Sequence, residues 1–112
     1  MTGKGTGDPA VQPPRASDLA PLLNREARVP EHVVFREFAQ ETVILNMQTG
    51  LYHGLNPTGG RMLQVVEQAA SLREAAVKLT AEFPAAGETI ERDLLTFCLQ
   101  LSKRGLIEIV DP

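Results

Sequence analysis

Tryptophan is absent from this 112-residue chain, and four phenylalanines and one tyrosine are its whole aromatic complement. So sparse a set argues against an aromatic stacking platform for bases. A single cysteine, Cys98, excludes an internal disulfide framework and fits a reducing cytoplasm. No apolar run approaches the roughly 18 residues that a membrane span needs. The opening Met1-Thr2-Gly3-Lys4-Gly5-Thr6-Gly7 lacks the apolar stretch of a secretory signal. Basic charge is also short where nucleic acid would need it. Residues 1–28 carry four Lys/Arg against three Asp/Glu, and residues 29–112 carry seven against eleven. The second part is therefore acidic, which disfavours a broad grip on DNA, RNA or an anionic membrane.

Catalytic chemistry is missing as well. His32 and His53 have no Cys, Asp or Glu at metal-ligand spacing, so no metal site is expected. Cys98 falls on the apolar stripe of a helix, where a thiol serves as a small hydrophobe rather than a nucleophile. Gly59-Gly60 at a helix start is not followed by the Lys-Ser/Thr pair of a phosphate loop. The chain reads as a binding module that uses no cofactor.

What is present is one small domain, because 112 residues cannot build two cores. Residues 1–28 are rich in Gly, Pro and Ala, and read as a disordered N-terminal tail ahead of a domain over residues 29–112. A helical turn over Ser17–Leu23 is limited by Pro21. Val33–Phe38 is a first strand by its β-branched and aromatic content. Thr42–Met47 is a second, with Val43, Leu45 and Met47 on one face. Gln48-Thr49-Gly50 closes a hairpin, with Gly50 in the left-handed position. Leu51–Leu55 is the third strand. No strand-like run follows before the helices, so its outer edge is open unless the short Leu106–Val110 tail covers it.

Asn56 and Pro57 then mark a helix start by N-cap and first-position chemistry. That helix runs to about Gln68 on an apolar face of Met62, Leu63, Val65 and Val66. Ser71-Leu72-Arg73-Glu74 is a capping box opening a second helix that Pro84 stops. A third helix starts between Gly87 and Thr89 and ends at Arg104, before Gly105. Its stripe of Ile90, Leu94, Phe97, Cys98 and Leu101 is flanked by Leu95 and Leu99. That flank either broadens the core or walls a shallow groove against the third strand. The expected fold class is α+β: a three-stranded antiparallel sheet followed by three helices.

The run Thr49-Gly50-Leu51-Tyr52-His53-Gly54-Leu55-Asn56-Pro57-Thr58-Gly59 resembles the TG-x-YY-x-LNPTG signature of PqqD-like proteins, also called RiPP precursor peptide recognition elements. The resemblance covers about three quarters of the chain, from Val29 to Ile109. It departs at His53, where a second aromatic is common, and at Gly60, where Ala is usual. It implies a winged-helix-like fold that takes up the leader of a ribosomally made precursor peptide as a strand beside the third strand. Leu51, Tyr52 and His53 would then supply the edge, and Arg92, Leu95 and Leu99 the helix wall. Arg92 would pair with a leader carboxylate, its alternative being a solvated helix charge. The partners implied are the leader and a separate modifying enzyme, a radical-SAM protein or a lasso leader peptidase, in the cytoplasm. A small winged-helix DNA-binding regulator shares the outline, and the acidic balance argues against it. A purely structural scaffold subunit is the third alternative.

Overall fold

The computed structural model describes residues 19–86 and 89–111. In chain order the strands are β1 (Glu26–Arg28), β2 (Val33–Glu37), β3 (Thr42–Asn46) and β4 (Leu51–Leu55). The helices α1 (Pro57–Gln68), α2 (Leu72–Glu82) and α3 (Thr89–Lys103) follow, and β5 (Glu108–Val110) comes last. The expected sheet followed by three helices is present. β2, β3 and β4 form an antiparallel sheet in that order, and β1 with β5 forms a separate two-stranded ribbon.

The hairpin between β3 and β4 is closed by Asn46. Its side-chain oxygen accepts from the N–H of Gln48 at 2.9 Å and of Thr49 at 3.3 Å. Turn acceptance explains why this polar residue is buried, only 6 % exposed. The loop takes in Met47 as well as Gln48–Gly50, and Gly50 is left-handed as expected. Val43, Leu45 and Met47 do share a face, but it is not the core face. Thr42, Ile44 and Asn46 are the buried residues of β3, and they face the helices.

Helix ends follow the sequence chemistry. Asn56 caps α1, accepting from the Gly59 N–H at 2.8 Å. Ser71 caps α2 through the Glu74 N–H at 3.2 Å, while Glu74 reaches back to the Ala70 N–H at 3.3 Å. The capping box thus closes one residue earlier than its usual form. At the end of α3 the Leu106 N–H meets the Leu101 carbonyl at 2.9 Å, and the Gly105 N–H meets that of Ser102 at 3.1 Å. These two bonds are a Schellman stop with glycine in the left-handed position. Arg61 of α1 makes a two-pronged bridge to Glu82 of α2, at 2.8 and 2.6 Å. That bridge holds the Glu82 carboxyl below its ordinary range and the guanidinium above its own.

The domain does not begin at Val29. Leu19, Leu23 and Ala27 are core residues, 2, 7 and 4 % exposed, so residues 19–28 are not a tail. Pro21 falls at the start of a short 3-10 turn, Ala20–Asn24, where its fixed φ is tolerated. The turn directs Leu23 inward. β1 then pairs with β5, Ala27 opposite Ile109. Arg25 fastens this ribbon through the Val110 carbonyl at 3.2 Å and the Asp111 carboxylate at 3.0 Å. Its own carbonyl accepts from the Leu72 N–H at 2.8 Å. Residues 1–18 of the expected tail lie outside the described residues.

Candidate functional site

β4 is an edge strand. One side pairs with β3 in unbroken register, from Thr42 opposite Leu55 to Asn46 opposite Leu51. Among the described residues nothing pairs with the other side. The C-terminal segment that was the candidate cover pairs with β1 instead. Leu51 and Tyr52 are correspondingly 60 and 71 % exposed. Alternation along the strand divides its side chains between two faces. His53 lies opposite buried Ile44 and shares the helix-facing side with Leu51 and Leu55. Tyr52 lies opposite Leu45, on the outer side.

Beyond β4 the Asn56-Pro57 corner turns the chain into α1, and α3 comes up against that corner. A Cβ at Gly59 would stand 3.5 Å from the Cβ of Leu55 and 3.5 Å from the Cε1 of Phe97. The Phe97 ring therefore stands near Gly59 and the end of β4, and a Cβ on Gly59 would make only ordinary contacts with both. Phe97 itself is half-buried. At 100° per residue, Arg104, Asp93 and Gln100 lie within about 60° of Phe97 around the helix. These three are exposed, so the solvent side of α3 next to Phe97 is polar.

The helix residues singled out from sequence lie on a different side of α3 from Phe97. Arg92, Leu95 and Leu99 lie about 140–160° around the helix from Phe97. Leu95 is 2 % exposed and is a core residue like Leu94. Leu99 is half-buried and packs against the same core, and Arg92 is exposed. The flank is covered because α3 packs on both α2 and β5. The β4 residues Leu51, Tyr52 and His53 are placed at the edge as expected. Phe97 packs against the core, as its place on the apolar stripe implies, and its ring also reaches the Gly59 corner.

The outer face of the sheet carries a second feature. Val34, Phe38, Val43, Leu45 and Tyr52 line an open trough of about 420 Å³, with Arg36 at its rim. Antiparallel sheets usually turn a polar face to water, and this one is apolar at Val34, Phe38 and Tyr52, which are 46, 60 and 71 % exposed.

Chemically the site offers main-chain donors and acceptors, apolar surface and a few charges. Among the described residues no three of His, Cys, Asp and Glu gather as metal ligands would. Burial pushes the Cys98 thiol up to about 12, far from the thiolate that a nucleophile needs. No described helix is long and apolar enough to cross a membrane.

Comparison with known proteins bears on this geometry. Residues 41–107, which hold β3, the corner and all three helices, match the family described as Coenzyme PQQ synthesis protein D (PqqD). The fold superposes with a TM-score of 0.65 on TbiB1 in complex with the TbiA(beta) leader peptide, at 32 % identity over 72 % of this chain and 94 % of that one. It superposes equally, TM-score 0.65, on a lasso peptide synthetase B1 complexed with its leader peptide. There the identity is 24 %, over 73 % of this chain and 96 % of that one. No protein of curated function matches. From the extent of the first match and the identity of the second, the chain belongs to the PqqD family of non-catalytic peptide-binding domains.

Proposed function

We propose that this protein binds the leader of a ribosomally synthesised precursor peptide as an added strand on β4 and presents it to a separate modifying enzyme. The observation that carries the reading is the free β4 edge standing beside Phe97. A leader strand there gains main-chain bonds on one side, which demand little of its sequence. Its alternate side chains pack on the helix-facing side of the edge, against Leu51, His53, Leu55 and Phe97, which supplies selectivity. TbiB1, 32 % identical, is known in complex with a leader peptide, in agreement with this use of the fold. Asp93 and Arg104, exposed on the Phe97 side of α3, favour a leader with charges of both signs near its apolar anchors. The enzyme that receives the leader is a radical-SAM protein or a lasso leader peptidase, and the lone free thiol suits a cytoplasmic setting.

Amide chemical-shift mapping with a synthetic leader tests the reading. Perturbations confined to Leu51–Leu55 and to Asp93, Phe97, Gln100 and Arg104 are the expected result. Perturbations centred on α1 and α2, or on Arg92 and Leu99, would overturn it. Co-elution of the leader-bound protein with one of the two enzyme types identifies the recipient.

A further inference from the structure

The β4 edge has a property that leader binding does not require: it is complementary to itself. Edge strands of soluble proteins are usually guarded by charge, proline, a bulge or a covering element. Leu51-Tyr52-His53-Gly54-Leu55 has no charged residue and no proline, and its register with β3 is unbroken. The opposite edge of the sheet, β2, carries both Arg36 and Glu37 among its five residues. The contrast singles out β4 as the edge left open for pairing.

We propose that, without a leader, β4 pairs antiparallel with β4 of a second copy, joining two sheets into one of six strands about a twofold axis at His53. This goes beyond the leader-binding reading and does not depend on it. In that register Tyr52 stands opposite Gly54 of the second copy, and Leu51 opposite its Leu55. The space above Gly54 is open: a Cβ built there would meet only the Glu41 carboxylate, at 3.5 Å. An aromatic ring laid across a strand glycine is a favourable cross-strand arrangement. Here it also brings the phenol near the Glu41 carboxylate, which can accept its O–H. Twofold symmetry makes every such contact twice. No like charges face each other within the paired strands, and the outer troughs of the two copies become continuous through Tyr52.

The interface is small. Five residues extend only about 17 Å, and their pairing buries well under the roughly 1,200 Å² of a stable complex. The dimer is therefore weak and reversible, as it must be if a leader strand is to displace it. Its role is to occupy an unguarded edge until a leader arrives. Closed symmetry limits the pairing to two copies, because each chain offers one such edge.

Analytical ultracentrifugation of the full chain without leader, from about 10 µM to about 1 mM, reads the equilibrium directly. The expected result is a reversible monomer–dimer equilibrium. In Gly54→Lys and in Tyr52→Ala the dissociation constant should rise at least about tenfold. Both variants should remain folded by circular dichroism, since Tyr52 is largely exposed and position 54 faces only a flexible side chain. Isotope-filtered NOEs between the Tyr52 ring and the Gly54 Hα of the other copy confirm the register. A monomer throughout the range, or a dimer that neither substitution weakens, overturns the proposal. Leader titration is a separate measurement: absence of leader binding would refute the functional reading and leave the dimer result standing.

Discussion

Replacing Gly60 by alanine tests whether the corner that aims β4 at α3 is as tight as it looks. Gly60 sits in the first turn of α1, and its N–H is bonded to the Asn56 carbonyl at 2.9 Å. Its φ is not left-handed, so the backbone accepts alanine. The space does not. A Cβ would overlap the Thr42 hydroxyl and stand 3.0 Å from the Thr42 Cβ, and Thr42 is only 4 % exposed. Rotating the hydroxyl away leaves the Cβ contact, which is fixed by the β3 backbone. Overpacking of this kind costs about 1–3 kcal/mol, and the better helix propensity of alanine returns about 1 kcal/mol. With two clashing atoms the steric cost falls in the upper half of its range, so the variant should lose about 1–2 kcal/mol. Urea unfolding should show a lower midpoint at unchanged slope. Adding Thr42→Ala removes the hydroxyl and methyl, so the double variant should be more stable than the single effects sum to, by about 1 kcal/mol. The usual alanine at this position in similar proteins would then require a smaller partner at position 42. If Gly60→Ala is as stable as the parent, the close approach of α1 to β3 is not there and the argument fails.

Four further outcomes are expected. Leu19→Ala should cost about 2–4 kcal/mol in urea unfolding, as a core truncation, whereas a tail residue would show no change. Phe97→Ala should weaken leader binding by about 1–3 kcal/mol in calorimetry, the scale of a lost anchor, and Leu99→Ala should leave it nearly unchanged; the reverse order would restore the far flank of α3 as the site. The Cys98 thiol ionises near 9 when unfolded and about 12 when native, so its effect on stability is nil below pH 9 and becomes a loss as pH rises toward 12. Cys98→Ala should flatten that alkaline decline relative to the parent, and identical slopes would refute the burial argument. Duplex DNA should not bind at submicromolar concentration in a salt-dependent manner, as a fluorescence-anisotropy titration would show.

The parts of the fold legible in the sequence are those fixed by neighbouring residues. Asn56-Pro57, Ser71 with Glu74, and Gly105 each set a helix end through bonds spanning three to five positions, and each was read correctly. The misread parts depend on distant partners. Leu19 and Leu23 look like tail residues beside Pro21, but the Ala20–Asn24 turn packs against α2 and β1 pairs with β5. On β3 the more hydrophobic alternate set, Val43, Leu45 and Met47, lies on the outer face. The buried set contains Thr42, held under Gly60, and Asn46, whose polarity is satisfied by the turn. α3 is apolar on more than one side because α2 and β5 both cover it, so periodicity alone does not say which flank meets β4. The closeness of the Phe97 ring to Gly59 and Leu55, which periodicity does not reveal, marks the side of α3 nearest the end of β4. The β4 edge residues Leu51, Tyr52 and His53 were legible because their exposure follows from strand order.

The ribbon of β1 and β5 has a bearing on how the chain acquires its structure. Its partners are among the most distant in sequence, Glu26 with Val110, so forming it closes nearly the whole domain into one loop. The entropy of that closure is met only when the rest of the fold has already drawn the ends together. During synthesis β2 to β4 and the helices emerge while β1 still has no strand to pair with. The fold thus leaves its first described strand to be fastened by its last, and a chain stopped short of Glu108 would leave β1 without its partner.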